Sequence, residues 1–413
     1  MLILYMTELL PIATTAMLAC LSIAVFGIVP STVAFGGFSS DIIFMVIGML
    51  IVGNALFETG VAHKMGKSII SMVGTNEKLF IAALIVVSVI ISLFLSNTAT
   101  ASIMMPVVAS AVAASKGKFT KKGSYMIVGF SAVAGGGLTV IGSTPQIIAQ
   151  AMLMEGGHET MGFFEISHIG IPKILILIIY YLTIGYVLQK KVFNFPDPVD
   201  DTQKVAAASS TEEKPKSGLK MAISVAVLGF CVTGFLTGLW TLGIVAMVGA
   251  AICVLTGCIS QKRVFSTMDW TSVVVLGSSL GIAAALDQSG AGRLVAQAMI
   301  NIIGDRMTPF ILCVVLALLA VILGNIMSHT ATASILMPLS IILAMELGYD
   351  VKSVVVAVVV AANVTYMTPI STPPITMTLA GGYRFMDYVK VGGLINLLSF
   401  ILVILMFPLV LNV

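Results

Sequence analysis

The segment Ser96-Asn97-Thr98-Ala99-Thr100-Ala101-Ser102, followed by Pro106, recurs 232 positions later as Ser328-His329-Thr330-Ala331-Thr332-Ala333-Ser334, followed by Pro338. Further landmarks recur at nearly the same offset: Ser143-Thr144-Pro145 as Ser371-Thr372-Pro373, Asp41 as Asp269, and Gly60 as Gly290. Such a period marks an internal duplication, which fixes the fold as two copies of one unit. Small polar residues also serve as packing residues in membrane helices, and that reading accounts for one loop but not for four landmarks in register.

Composition places both copies in a bilayer. Hydrophobic residues make up 58% of the chain and charged residues 9%, and the mean hydropathy is +1.10. A soluble domain is excluded, and 413 residues provide roughly ten crossings of about 20 residues each. A net charge of +3 is too small to point to nucleic acid. Cys20, Cys231, Cys253, Cys258 and Cys313 lie in apolar runs without metal-ligand spacing, so they read as small buried hydrophobes. Met1 to Glu8 lacks the basic stretch and cleavage site of a secretory signal, so the following apolar run is expected to remain as a helix.

Apolar runs predict full spans near 9–29, 42–58, 125–155, 170–188, 219–236, 241–257, 270–286, 353–381 and 391–411. Residues 79–115 and 308–347 each read as apolar run, polar turn and apolar run, the pattern of a re-entrant hairpin. With both as hairpins, 17 of the 21 Lys and Arg residues share one side, and only Lys173, Arg293, Arg306 and Lys352 fall on the other. That asymmetry marks the cytoplasmic side, with the N-terminus cytoplasmic. The first hairpin then enters from the cytoplasm and the second from outside, so the units, 41–165 and 269–388, are inverted. The expected fold is an all-α polytopic membrane protein. It comprises a scaffold helix in 1–40, a first repeat over 41–188 with its broken helix at 125–155, a cytoplasmic linker at 189–218, and scaffold helices with the second repeat over 219–413, broken at 353–381.

Non-helical backbone at membrane depth is tolerated only where it is buried in protein or lines a cavity. Four breaks are readable: the two hairpin tips, Gly142-Ser143-Thr144-Pro145, and Pro369-Ile370-Ser371-Thr372-Pro373-Pro374. Hydroxyls and freed carbonyls there are oxygen ligands for a small cation. The helix that starts after each break points its amides and positive dipole end at the same space, which suits an anion. No charged side chain is predicted at mid-membrane, which argues against a proton pump or a carboxylate-based cation/proton antiporter. The four histidines and five cysteines form no nucleophile or metal grouping, so an enzyme is not expected. Gly135-Gly136-Gly137 reads as a close helix contact rather than a phosphate cradle.

Asn97 can donate through its amide nitrogen and coordinate a cation through its oxygen, while Ser96 and Thr98 donate or accept; the alternative for Asn97 is a helix cap. His329 stands in the place of Asn97. Protonated, it substitutes for a coupling cation beside an anion; neutral, it is a hydrogen-bonding tip residue.

The paired Ser-Asn/His-Thr tips, the Thr-Pro breaks and the inverted halves resemble the divalent anion/sodium symporter family over nearly the whole chain. The resemblance implies secondary transport of a dicarboxylate such as succinate or malate, or of citrate or sulfate, by a homodimer whose transport domain moves like an elevator. The expected setting is a bacterial or archaeal plasma membrane. It implies substrate contacts from Ser96, Asn97, Thr98, Ser328, His329 and Thr330, with Thr144, Pro145, Thr372 and Pro373 completing the pocket. One Na+ would lie among Ser92, Ser96, Asn97 and Gly142, and a second near Thr330 and Ser371. The family's first helix is expected to be missing from this sequence, through either a true variant or a truncated start, and His329 replaces its second-tip Asn, which makes sodium-independent exchange or proton coupling the alternative.

Overall fold

A computed structural model describes residues 9–61, 76–115, 117–197, 218–238, 240–291 and 307–411, with positions 4, 64, 294 and 297. All regular structure among the described residues is helical. The first half contains α1 (Ile12–Val25), α2 (Asp41–Thr59), α3 (Glu77–Ser92), α4 (Asn97–Ala114), α5 (Tyr125–Gly136), α6 (Thr144–Glu155), α7 (Ser167–Leu182) and α8 (Ile184–Val192). The second contains α9 (Gly218–Thr237), α10 (Leu242–Leu255), α11 (Trp270–Gln288), α12 (Pro309–Ile326), α13 (His329–Leu347), α14 (Val351–Ala362), α15 (Pro373–Met377) and α16 (Gly393–Val410).

The landmarks of the duplication fall at helix ends, apart from Pro106 and Pro338, which lie inside α4 and α13. Asp41 opens α2, and Asp269 is the N-cap of α11, where its carboxylate accepts from Ser272 N at 3.2 Å. Gly60 and Gly290 follow those helices with φ of 86° and 72°, a left-handed conformation that a residue with a side chain adopts only under strain. Ser96 and Ser328 each accept from the amide three residues on, Ala99 and Ala331, both at 3.2 Å, and so cap α4 and α13. The two hairpins are therefore α3/α4 and α12/α13, and the broken spans are α5/α6 and α14/α15. Thr183 bends the α7/α8 pair by 54°, and α8 runs to Val192, past the expected linker start at 189.

The helices sort into two packed groups. In one, α2 lies along α10 so closely that a Cβ on Gly48 would meet Ala246 at 2.5–2.7 Å, while α9 covers both and α1 packs on α11. Such small-residue contacts are how helices approach in lipid, where no hydrophobic drive separates them from the solvent. In the other group the repeats interlock: α13 packs on α6, and α15 on α4 and α5. Lys352 at the start of α14 pairs with Glu159 at 2.7 Å and Glu165 at 2.9 Å beyond α6. The groups meet where α11 touches α6 and α13.

The chain leaving α8 is tied down at once. The Asp197 carboxylate accepts from the amides of Lys121 (3.0 Å) and Lys122 (2.9 Å), and Lys122 Nζ donates to Phe193 O at 3.1 Å. The rest of the expected linker, 198–217, lies outside the described residues, as do Lys67, Lys116, Arg293 and Arg306 of the charge count.

Candidate functional site

Capping by Ser96 fixes what the first tip can do. Its hydroxyl is engaged with Ala99 N, so Asn97, the first residue of α4, is free to turn toward the break between α5 and α6. One terminal atom of the Asn97 amide lies 2.9 Å from Ser92 Oγ, 2.9 Å from Ala132 O and 3.2 Å from Gly142 O. Ser92 Oγ in turn lies 2.7 Å from Ala132 O. With the amide nitrogen in that place, Asn97 donates to the cluster. With the oxygen there, a hydroxyl, a side-chain carbonyl and two backbone carbonyls face one another, a neutral oxygen set that fits a monovalent hard cation. Asn97 is thus not a cap. Of the expected sodium ligands, Ser92, Asn97 and Gly142 come together, Ser96 is drawn off as a cap, and the carbonyl of Ala132 joins instead. A backbone ligand inside an apolar helix leaves no mark in a sequence.

Two glycines let this cluster close. A Cβ on Gly136 would collide with Asn97 Oδ1, and one on Gly142 would meet Gly136 Cα at 2.8 Å. Gly135 lies against Val89 of α3, where a Cβ would be 2.7 Å from the backbone. The glycine run is a packing device, as its composition suggested.

The second tip is built differently. The counterparts of Ser92, Asn97 and Gly142 are Gly324, His329 and Ile370. The amide of His329 donates to Ser371 O at 3.2 Å, and its Nδ1 lies 3.4 Å from the same oxygen. The Ser371 hydroxyl is turned away to Thr365 O (2.9 Å) and Thr368 O (3.0 Å). Asn325 Nδ2 donates to Val321 O (2.8 Å) and Val364 O (3.1 Å), and its Oδ1 accepts from Met367 N at 3.0 Å. Asn396 of α16 accepts from Tyr366 N at 2.9 Å. Side-chain amides thereby satisfy backbone that the break set free. Among the described residues no hydrogen bond joins the expected ligand pair Thr330 and Ser371.

Both tips and both breaks border one cavity of about 460 Å³. Ser96, Asn97, Thr98, Gly142, Thr144, Ser328, His329, Thr330 and Pro373 line it; Pro145 and Thr372 are buried behind it, and Ser92 and Ser371 lie in the supporting layer. The first turns of α4, α6 and α13, helices of 12 to 19 residues, converge on this space. α15 contributes less dipole and fewer donors than its partner, because it has five residues and begins Pro373-Pro374. No Lys or Arg lines the cavity among the described residues. An anion there meets helix N-termini, hydroxyls and amides rather than a fixed cation.

The opposite wall was not foreseen. α2 supplies Met45, Val46, Met49, Leu50 and Asn54, and the start of α11 supplies Thr267, Asp269, Thr271 and Ser272. Thr144 Oγ1 lies 3.3 Å from Ser272 Oγ, and Asn54 donates to Thr267 O at 3.2 Å. Asp269 was legible as a repeat landmark; the others carry no signal until the helix crossings are known. Lys173, counted with the outer charges, is only 1% exposed and sits six residues inside α7, its Nζ against Gly137 at the end of α5.

A profile of the citrate transporter family (CitMHS) matches residues 2–359. The chain belongs to that family. Among curated relatives is an uncharacterized transporter of Haemophilus influenzae, 26% identical over 421 aligned residues that cover 97% of this chain and 88% of the relative. The sodium-dependent dicarboxylate transporter SdcS of Staphylococcus saprophyticus is 23% identical, covering 97% of this chain and 82% of its own length. Solved structures share the fold: the YdaH transporter of Alcanivorax borkumensis, with a TM-score of 0.63 at 16% identity over 92% of this chain and 87% of that one, and MtrF of Neisseria gonorrhoeae, described as one of a class of antimetabolite efflux pumps, with 0.59 at 14% over 90% and 82%. The resemblance noted from the tips and breaks is thus upheld. The protein is a multi-pass membrane transporter of the carboxylate-carrying group, not an enzyme.

Proposed function

We propose that this chain carries a small di- or tricarboxylate, such as succinate, malate or citrate, across the membrane with Na+ as the coupled ion. The observation that carries the reading is the single cavity on which three helix N-termini converge, beside the oxygen cluster of Ser92, Asn97, Ala132 and Gly142. Donors without fixed charge hold the carboxylates; Thr98, Ser96, His329, Thr330 and Thr144 are the side chains that reach them. A cation at the Asn97 amide would hold its oxygen toward the cluster and the tip in place, which links ion loading to anion loading.

Alternating access follows from the two packed groups: α3–α8 with α12–α16 move as one body, in the elevator manner, against α1, α2 and α9–α11. Under the topology that collects positive charge inside, Asn54, Thr267 and Asp269 lie toward the cytoplasm, so the cavity opens inward. A homodimer in a bacterial membrane, N-terminus cytoplasmic, gives the static group its partner. A second reading, sodium-independent exchange or proton coupling, is favoured by one observation: Gly324 and His329 take from the second tip the donors that Ser92 and Asn97 give the first.

The deciding test is uptake of labelled succinate and citrate into proteoliposomes under inward sodium, inward proton or no gradient, with and without internal substrate. Stimulation by sodium is the expected result. Stimulation by internal substrate alone would replace symport with exchange, and indifference to all three would sink carboxylate transport of either kind.

A further inference from the structure

Lys173 has no role in the reading above, yet it is placed beside its most critical element. Its side chain is buried, and it makes no hydrogen bond or ion pair among the described residues. A Cβ on Gly137 would lie 3.4 Å from Lys173 Nζ, so the amine sits beside the residue that ends α5. That carboxyl end is where a helix favours positive charge. The preceding residue, Gly136, touches Asn97 and Gly142 of the oxygen cluster. Adjacent Cα atoms are about 3.8 Å apart, which puts the ammonium within roughly 12 Å of that cluster. The elements packed on α7 bring no acid to Lys173: α16 has no charged residue, Glu77 and Lys78 of α3 and Tyr125 of α5 start their helices at the far end, and Tyr186, Lys190 and Lys191 of α8 lie beyond the bend. On the near side His168 is exposed, and Glu165 is taken by Lys352.

We propose that the Lys173 ammonium is a tethered cation that repels the mobile one in the Asn97 cluster and so sets the sodium concentration at which the carrier loads. The proposal rests on reading that cluster as the cation site. Two unit charges about 12 Å apart, at an effective dielectric constant of about 20, alter the dissociation constant on the order of tenfold. Lys173 is thus an affinity-setting residue that touches neither cargo.

The test is sodium-dependent thermal stabilisation of the purified full-length protein in detergent, titrated at constant ionic strength with choline as the replacement ion. Lys173→Met is expected to lower the half-saturating sodium concentration about tenfold, while Lys173→Arg, which keeps the charge, stays near wild type. Lys173→Gln serves as a second neutral variant if Met does not fold. Adding Asn97→Ala to the neutral variant should abolish the sodium response. A neutral variant that folds and binds sodium no more tightly than wild type overturns the proposal while leaving the cation site standing. A wild-type protein that no sodium concentration stabilises overturns both.

Discussion

The two tip-and-break assemblies descend from one duplicated unit, and they have come to opposite terms with the backbone that a broken helix exposes. In the first, the Asn97 amide faces three oxygens and can be satisfied either way round, by donating or by closing on a cation. In the second, Asn325 and Asn396 hold Val364 O, Met367 N and Tyr366 N through fixed side-chain amides, and His329 holds Ser371 O. A buried polar group must be paired by something. On the proposed reading the first half leaves that task to an exchangeable ion, whereas the second performs it with its own residues.

That contrast can be broken most directly at Asn97. Asn97→Ala is expected to reduce sodium-driven uptake on the order of 100-fold and to erase stabilisation by sodium, with little change in melting temperature when sodium is absent. Unchanged uptake would remove the first tip from the mechanism. Asn325→Leu should do the reverse: it strands two backbone groups and costs about 2–3 kcal/mol of stability, read as a lower melting temperature, without shifting the half-saturating sodium concentration. A shift there would mean that the second half also responds to the ion.

Glycine substitutions sharpen the comparison further. Gly136→Ala drives a methyl group into Asn97 Oδ1 and should weaken sodium binding about tenfold. The smallest effect is expected from Gly324→Ala. Its nearest contact is the Thr365 methyl at 2.9 Å, a side chain that can turn aside, so sodium affinity should change less than about threefold. Equal responses at the two glycines would contradict the assignment of the ion to the first half.

What the sequence disclosed, it disclosed through helix ends. Asp269, Gly60 and Gly290 stand out because N-cap and left-handed positions admit few residue types, Ser96 and Ser328 because a tip needs a cap, and Asp41 because its carboxylate accepts from Thr241 and Gly243 at the start of α10. The Ser96 hydroxyl also accepts from Ala99 N as the cap of α4, a second task for the same residue. Longer-range facts stayed hidden. Ala132 contributes only a carbonyl, and Asn54 and Ser272 reach the cavity because of how α2 and α11 cross the other packed group. The burial of Lys173 was hidden too, because hydropathy locates a span without saying which face of its helix, which begins at Ser167, packs inward.

The fastening of Phe193 and Asp197 to Lys121 and Lys122 bears on how far such a carrier can travel. It anchors the outgoing chain to one group of helices, and α9, which belongs to the other, begins at Gly218. Between Asp197 and Gly218 the covalent chain can span at most about 70 Å whatever shape it takes, more than twice the roughly 30 Å thickness of a bilayer's hydrocarbon core. In the proposed elevator motion, a covalent connection of that reach permits travel across the bilayer, and shortening it is a way to limit the stroke without touching the site.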